Sequence, residues 1–366
     1  MATLTKNRSR LLLGCGPMAL AVALTLAPER ARAQAFEATP SVVEGGVNFD
    51  RMISGEETVT VSTPTAVIDW TPNEDAAGNA LTFLADGNTA IFQDELDQGG
   101  VAVLNRSLPS TNGNVVVFDG AVVSQLRSST GANVTGGTVA FYSPTGILVG
   151  GTATFDVGSL ILTSLDPDLA SFEDFALTNG TLQLGGGNTT TNPTSSVVIN
   201  PGAQINALSE GSYFIAAAPE VQMLGQSRVN GSQAFIGAST ANLRVSTGLF
   251  DIEITLGTDN TTPIVINGDV GGPASTDASD NHIIYAVAKA INDPISMIFS
   301  GNLGFEPAAS AGIVNGEIIL SANYDVNGRT VQDGTSADGI NATFSQPEDS
   351  GNPPPAGGVF LEDFNA

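Results

Sequence analysis

Side chains able to do chemistry are few and scattered along these 366 residues. His282 is the only histidine and Cys15 the only cysteine, so no zinc site can be assembled from such ligands. The chain has no Gly-x-Ser-x-Gly elbow and no phosphate-cradling loop. His282 follows Asp280-Asn281 at a loop-to-strand junction and reads as a surface turn residue rather than a base. Carboxylates are plentiful, 37 in all, and could in principle exchange protons or hold calcium. The close pairs Asp166/Asp168, Asp277/Asp280 and Asp325/Asp333 match no calcium-loop template, and Asp325-Val326-Asn327-Gly328 is only a fragment of one. Each pair reads as a solvated loop, so no enzyme, cofactor or metal is expected.

The elements behind these residues are β-strands. Thr138 to Asp166 divides into short strands over Thr138–Tyr142, Ile147–Val149, Ala153–Val157 and Ser159–Thr163, separated by Ser143-Pro144-Thr145-Gly146, Gly150-Gly151 and Gly158. Val, Ile, Phe and Thr runs stopped by Gly or Pro predict an all-β chain that bends every few residues. Pro144 fixes its own φ and Gly146 can take φ > 0, which suits a tight turn. The same turn would also serve a hairpin in an ordinary β-sandwich.

The stretch resembles the signature of the filamentous-haemagglutinin N-terminal domain, the secretion domain of two-partner exoproteins. That family carries Asn-Pro-Asn-Gly-Ile; here the core is Ser143-Pro144-Thr145-Gly146-Ile147, with both asparagines replaced and the Pro, Gly and Ile kept. Thr163-Ser164-Leu165-Asp166 stands at the expected end, Ala66-Val67-Ile68-Asp69-Trp70 resembles the early Ile-x-Trp strand, and Asn105-Arg106 follows a buried strand as in the family. Taken alone, Arg106 reads as solvated, Asn105 as a strand-end turn residue, and Trp70 as a cap over the open end of a β stack. The resemblance implies a right-handed parallel β-helix, or solenoid, with an N-terminal cap. It also implies a partner, an outer-membrane barrel transporter with periplasmic recognition domains. Asn105, Arg106 and Ser143 to Ile147 are then the residues of the secretion motif, and strand addition is the expected mode of recognition.

Residues 1–35 read as a signal peptide: Lys6, Arg8 and Arg10, an apolar Leu11–Ala27, and small residues before the cut. Cleavage after Ala33 leaves Gln34 first, and cleavage after Ala35 leaves Phe36 first. Leu12-Leu13-Gly14-Cys15 has too little apolar chain before it for a lipid anchor, and the apolar run is too broken and short for a stable membrane span. The chain is expected to cross the periplasm of a double-membrane bacterium and to be secreted or held at the cell surface. Losing residues 1–34 removes five cations and one anion, so 7 cations face 36 anions, a net charge of about −29. Nucleic acid and anionic lipid are poor partners for such a surface. The mature chain also has no cysteine, which suits passage through a second membrane unfolded.

In chain order, Val47–Val61 gives the first strand region; Ala80–Leu84, Thr89–Phe92, Val101–Leu104, Asn114–Phe118 and Ala121–Leu126 follow. Asp166–Asp174 reads as an acidic loop, and 185–193 as a Gly/Asn/Thr loop. Apolar runs starting at Val197, Tyr213, Ala234 and Leu249 suggest coils of roughly 20 residues. Ala286–Ile291 is open to a short helix as well as a strand. The organisation is then a secretion-like domain over 36–175, continuing coils over 176–330, and a polar Pro/Gly-rich linker or tail over 331–366. The family default is an adhesin that meets a host or environmental surface receptor or glycan. The alternatives are a β-helical polysaccharide-degrading enzyme, lyase or glycosidase, and a passive surface-layer protein. A lyase needs a basic proton acceptor, for which only Arg51, Arg106, Arg127, Arg228, Arg244, Arg329 and Lys289 are present.

Overall fold

The computed structural model describes residues 34–73, 80–95, 100–109, 114–127, 131–186, 192–276, 279–306, 316–332, 340–345, 359–360 and 364–365. Residues 1–33, including Cys15 and Ala33, and also Asp277 and Asp333, lie outside the described residues.

The chain winds as a parallel β-helix with three faces. The first face stacks Glu56–Val61, Thr89–Asp94, Ala121–Arg127 and Thr154–Asp156 in parallel register, and runs on through Asn302–Phe305. The second stacks Thr65–Pro72, Ala102–Ser107, Thr138–Tyr142 and Ser159–Thr163, and ends on Glu317–Ala322. The third is an eight-stranded sheet from Leu81–Leu84 through Val116–Phe118, Ile147–Val149 and Ser196–Ile199 to Ser296–Phe299, closed by Phe364–Asn365. Parallel strands cannot be joined by tight hairpins, so each must be reached by a full circuit, and stacking circuits bury a continuous core. Gln204 lies on Gln226, so a circuit without insertions repeats in about twenty residues. The uneven spacing of apolar runs has a plain cause. Val197 belongs to the third face, Tyr213 and Ala234 to the second, and Leu249 to no coil.

Two cores flank the second face. Leu160 and Leu162, Phe214 and Ala216, and Ile284 and Ala286 point into the solenoid, where Phe118, Phe141 and Phe155 also pack. Ile161, Ile215, Ala217, Ile283, Tyr285 and Val287 point outward into a second apolar layer. Alternation sends successive side chains to opposite sides, so Ile283–Ala288 is buried at every position. That double burial makes this run apolar throughout, and its parallel pairing to Glu317–Ala322 rules out the helix considered for Ala286–Ile291. The outer layer is covered by an antiparallel five-stranded sheet, which includes Thr181–Leu184, Thr240–Ser246 and Leu249–Leu256, and by the helix Leu169–Thr178.

The helix replaces the acidic loop expected over Asp166–Asp174. Asp168 caps it, its Oδ1 accepting from the Ser171 N–H at 2.8 Å, while Phe172 and Phe175 dip into the outer core. Asp166 is 3% exposed, so Asp166/Asp168 is not the solvated pair expected. The helix spans residue 175, and the second-face ladder runs unbroken from Ser159–Thr163 to Phe214–Ala217.

The N-terminal cap is present. Ala38–Glu44 runs antiparallel to Thr65–Pro72, and the region expected as one run is a hairpin of Val47–Asp50 with Glu56–Val61. Phe36 plugs the open end, with ring centroids 4.7 Å from both Trp70 and Phe83. Beneath the plug, Glu57 is fully buried: Oε2 lies 3.4 Å from the Phe36 N–H, and Oε1 takes Arg51 Nε at 2.9 Å. At the far end, backbone pairing of Ile340–Ser345 and Val359–Phe360 brings the chain beyond 331 back across the last coil, where a linker was expected.

Candidate functional site

The motif residues come from neighbouring coils. Ser143 to Ile147 forms the corner between the second and third faces. The Gly146 N–H donates to the Ser143 carbonyl at 3.1 Å, and Gly146 has φ of 104°, so this is the tight turn expected, with glycine at a position closed to L side chains. Thr145 Oγ1 donates to the Asn114 carbonyl of the preceding coil at 2.6 Å, which leaves the Ser143 hydroxyl to donate to Thr145 Oγ1 at 3.0 Å. On the other side, the Ser143 N–H donates to the Thr163 carbonyl of the next coil at 3.1 Å. A Cβ on Gly146 would lie 2.7 Å from the Ser196 carbonyl oxygen. Ser143, Gly146 and Ile147 are buried, and only Pro144 and Thr145 are half-buried at the surface. The turn therefore clamps coil to coil and offers little to a partner in the folded state.

Asn105 is an internal residue, 1% exposed, not a strand-end turn residue. Its Oδ1 accepts from Trp70 Nε1 at 3.0 Å, and its Nδ2 donates to the Ala140 carbonyl at 3.2 Å. It thus ties the aromatic cap at Trp70 to the coil that carries the turn. Arg106 is not solvated either: its Nε sits 2.9 Å from Asp69 Oδ1 on the outer side of the same ladder, an ion pair without an aligned hydrogen bond. Burial pushes the Asp69 carboxyl above its usual range; Arg106 pulls it back, and Asp166 adds to the rise. Asn105 and Arg106 share their ladder with Phe141 and Tyr142, immediately before the turn, so all the motif residues fall in one zone of the solenoid.

At the cleavage segment, Gln34 is exposed while Ala35 is fully buried, and Asn88 Nδ2 donates to the Ala35 carbonyl at 3.2 Å.

The candidates for catalysis are dispersed. His282, expected at the surface, is 2% exposed, with Nδ1 3.0 Å from the Pro273 carbonyl and Nε2 3.0 Å from Asp280 Oδ1. It is a packed residue against Phe305, reached by a chain that dives from loop to core at this junction. Asp325 is paired with Lys289 at 2.6 Å. Among the described residues no group of three His, Cys, Asp or Glu could hold a metal ion, and no helix is long and apolar enough to cross a membrane.

No protein-family model matches the sequence, and no curated protein matches it. Among solved structures, the chain is similar to the HMW1 secretion domain from Haemophilus influenzae, with a TM-score of 0.51 at 17% identity. The alignment covers 77% of this chain and 62% of that one, so the chain spans less than two thirds of the domain it matches. The likeness is one of fold: both chains are built on a β-helix.

Proposed function

We propose that this protein is an exoprotein of two-partner secretion. In this reading the signal peptide carries it over the inner membrane, and its N-terminal part is then taken up by the recognition domains of an outer-membrane barrel transporter. It folds outside as the β-helix and works there as an adhesin, with no catalytic step of its own. The observation that carries the reading is the coil-closing turn Ser143 to Ile147, set beside Asn105 and Arg106 within a solenoid that has the fold of a secretion domain. The strongly acidic, cysteine-free mature chain fits passage through a pore before folding. Since Ser143, Gly146 and Ile147 are hidden once the coils have stacked, the motif serves export through the chain's ability to close this corner as it emerges.

The test compares two glycine substitutions with the cognate transporter present. Gly146→Val forces a β-branched residue into φ of 104° with its Cβ 2.7 Å from the Ser196 oxygen. Gly186→Val places a Cβ no closer than 3.5 Å to any neighbour, which is ordinary contact. The expected result is a sharp fall in released protein for Gly146→Val and parental release for Gly186→Val. Equal release of the two would make the turn filler and remove the residue-level support for the secretion reading.

A further inference from the structure

Two adjoining clefts of about 440 and 650 Å³ lie where the helix Leu169–Thr178 and the hairpin tip after Ser246 face the coil turn around Gly211. Thr138, Ala176, Glu210 and Gly211 line both, so the two form one trough, and each volume is in the roughly 300–1,000 Å³ range of small-molecule sites. No lysine, arginine or histidine lines it among the described residues. Val245 and the exposed Leu177 supply apolar wall, and Asn179, Glu210 and Thr247 supply amide, carboxylate and hydroxyl. Tyr213 lies at its base, its hydroxyl bonded to Thr138 Oγ1 at 3.0 Å. Both Asp280 oxygens are already engaged, by the His282 ring at 3.0 Å and the Thr276 N–H at 2.8 Å, so the trough is not a bare acidic cluster awaiting a cation.

A second observation points at the same place. Ser246 pairs with Leu249 across a two-residue turn whose central residues, Thr247 and Gly248, have φ of 48° and 75°. Such a turn favours asparagine or aspartate before the glycine, and a β-branched residue there is a genuine outlier. The chain keeps this unfavourable threonine at a hairpin tip that overhangs the trough, and strain retained beside a cavity points to use.

We propose that the trough binds an uncharged oligosaccharide. Its hydroxyls would meet the Asn179 amide, the Glu210 carboxylate and the Thr247 hydroxyl, while a sugar's C–H face would lie on Val245 and the exposed Leu177. No cation lines the trough, where Glu210 would repel an anionic glycan; Arg244 and Arg329 reach only its rim, at Asn179 and Asn281. The trough is separate from the coil-closing turn, and the inference does not depend on how the chain is exported.

The test uses the full exported chain with fluorescent manno-, gluco- and galacto-tetraoses, and tetragalacturonate as the anionic counterpart. The expected result is that at least one neutral tetraose binds about tenfold tighter than tetragalacturonate, whose carboxylates Glu210 repels, a factor worth about 1.4 kcal/mol. Thr247→Asn should raise the melting temperature by relieving the turn while weakening that tetraose severalfold. Asn179→Gly, which keeps the left-handed backbone and removes only the amide, should weaken it as well. The proposal is overturned if no neutral tetraose exceeds tetragalacturonate, or if both variants bind as the parent does.

Discussion

Asn105→Leu separates a structural role of the proposed secretion motif from a direct one. Leucine matches asparagine in branching and heavy-atom count but is bulkier, so no cavity is opened, and two buried partners lose their bonds: Trp70 Nε1–H and the Ala140 carbonyl. Each orphaned group costs about 1–3 kcal/mol, or roughly 2–6 kcal/mol for the pair. Burying the leucine returns about 1.5–3 kcal/mol, leaving a net loss of about 2 kcal/mol. At roughly 2–4 °C per kcal/mol for a chain of this class, the melting temperature should fall by about 4–8 °C. The assay is thermal unfolding of purified exported protein, run beside a measurement of how much protein reaches the medium. Arg106→Gln is the control, since its partly exposed pair with Asp69 is worth at most about 1 kcal/mol. An unchanged melting temperature in Asn105→Leu would refute the internal tie. Lost release with unchanged stability would mean that the side chain itself is read in the unfolded chain.

Three further outcomes are expected. Asp69 binds its proton more tightly folded than unfolded, so its contribution to stability falls as pH rises from 3.8 through its folded value. That component should be absent in Asp69→Asn and larger in Arg106→Gln, as difference curves of stability against pH will show. Burial pushes the Tyr213 hydroxyl up to about 12, so it withdraws stability as pH climbs from 10 towards 12; Tyr213→Phe should flatten that stretch of an alkaline unfolding curve. The mature chain should begin at Gln34, because Ala35 is fully buried and its carbonyl is held by Asn88; mass spectrometry of the exported protein finding Phe36 first would contradict that packing.

Much of the coil pattern is legible in the sequence where one strand follows another without insertion. Thr138–Tyr142, Ile147–Val149 and Ser159–Thr163 end where Pro and Gly say they must, because those residues act locally. The helix Leu169–Thr178 is hidden by its acidic residues, although Asp168 with Ser171 and the terminal Asn179-Gly180 are the capping signals that would reveal it. The covering sheet is less legible. Leu249–Leu256 reads clearly as a strand, but nothing local distinguishes a strand that completes a coil from one that folds back over the outer face. His282 and Asn105 are misread for the same reason. Polar residues at loop junctions look solvated in sequence, and only distant partners, Phe305 for one and Trp70 and Ala140 for the other, place them inside.

The most direct test of export by a partner is the amount of mature chain in the medium of a double-membrane host, with and without the cognate barrel transporter. The account predicts that release requires the transporter and that the chain is otherwise degraded or held in the periplasm. Equal release without it, or a membrane-bound form lipidated at Cys15, would contradict the account.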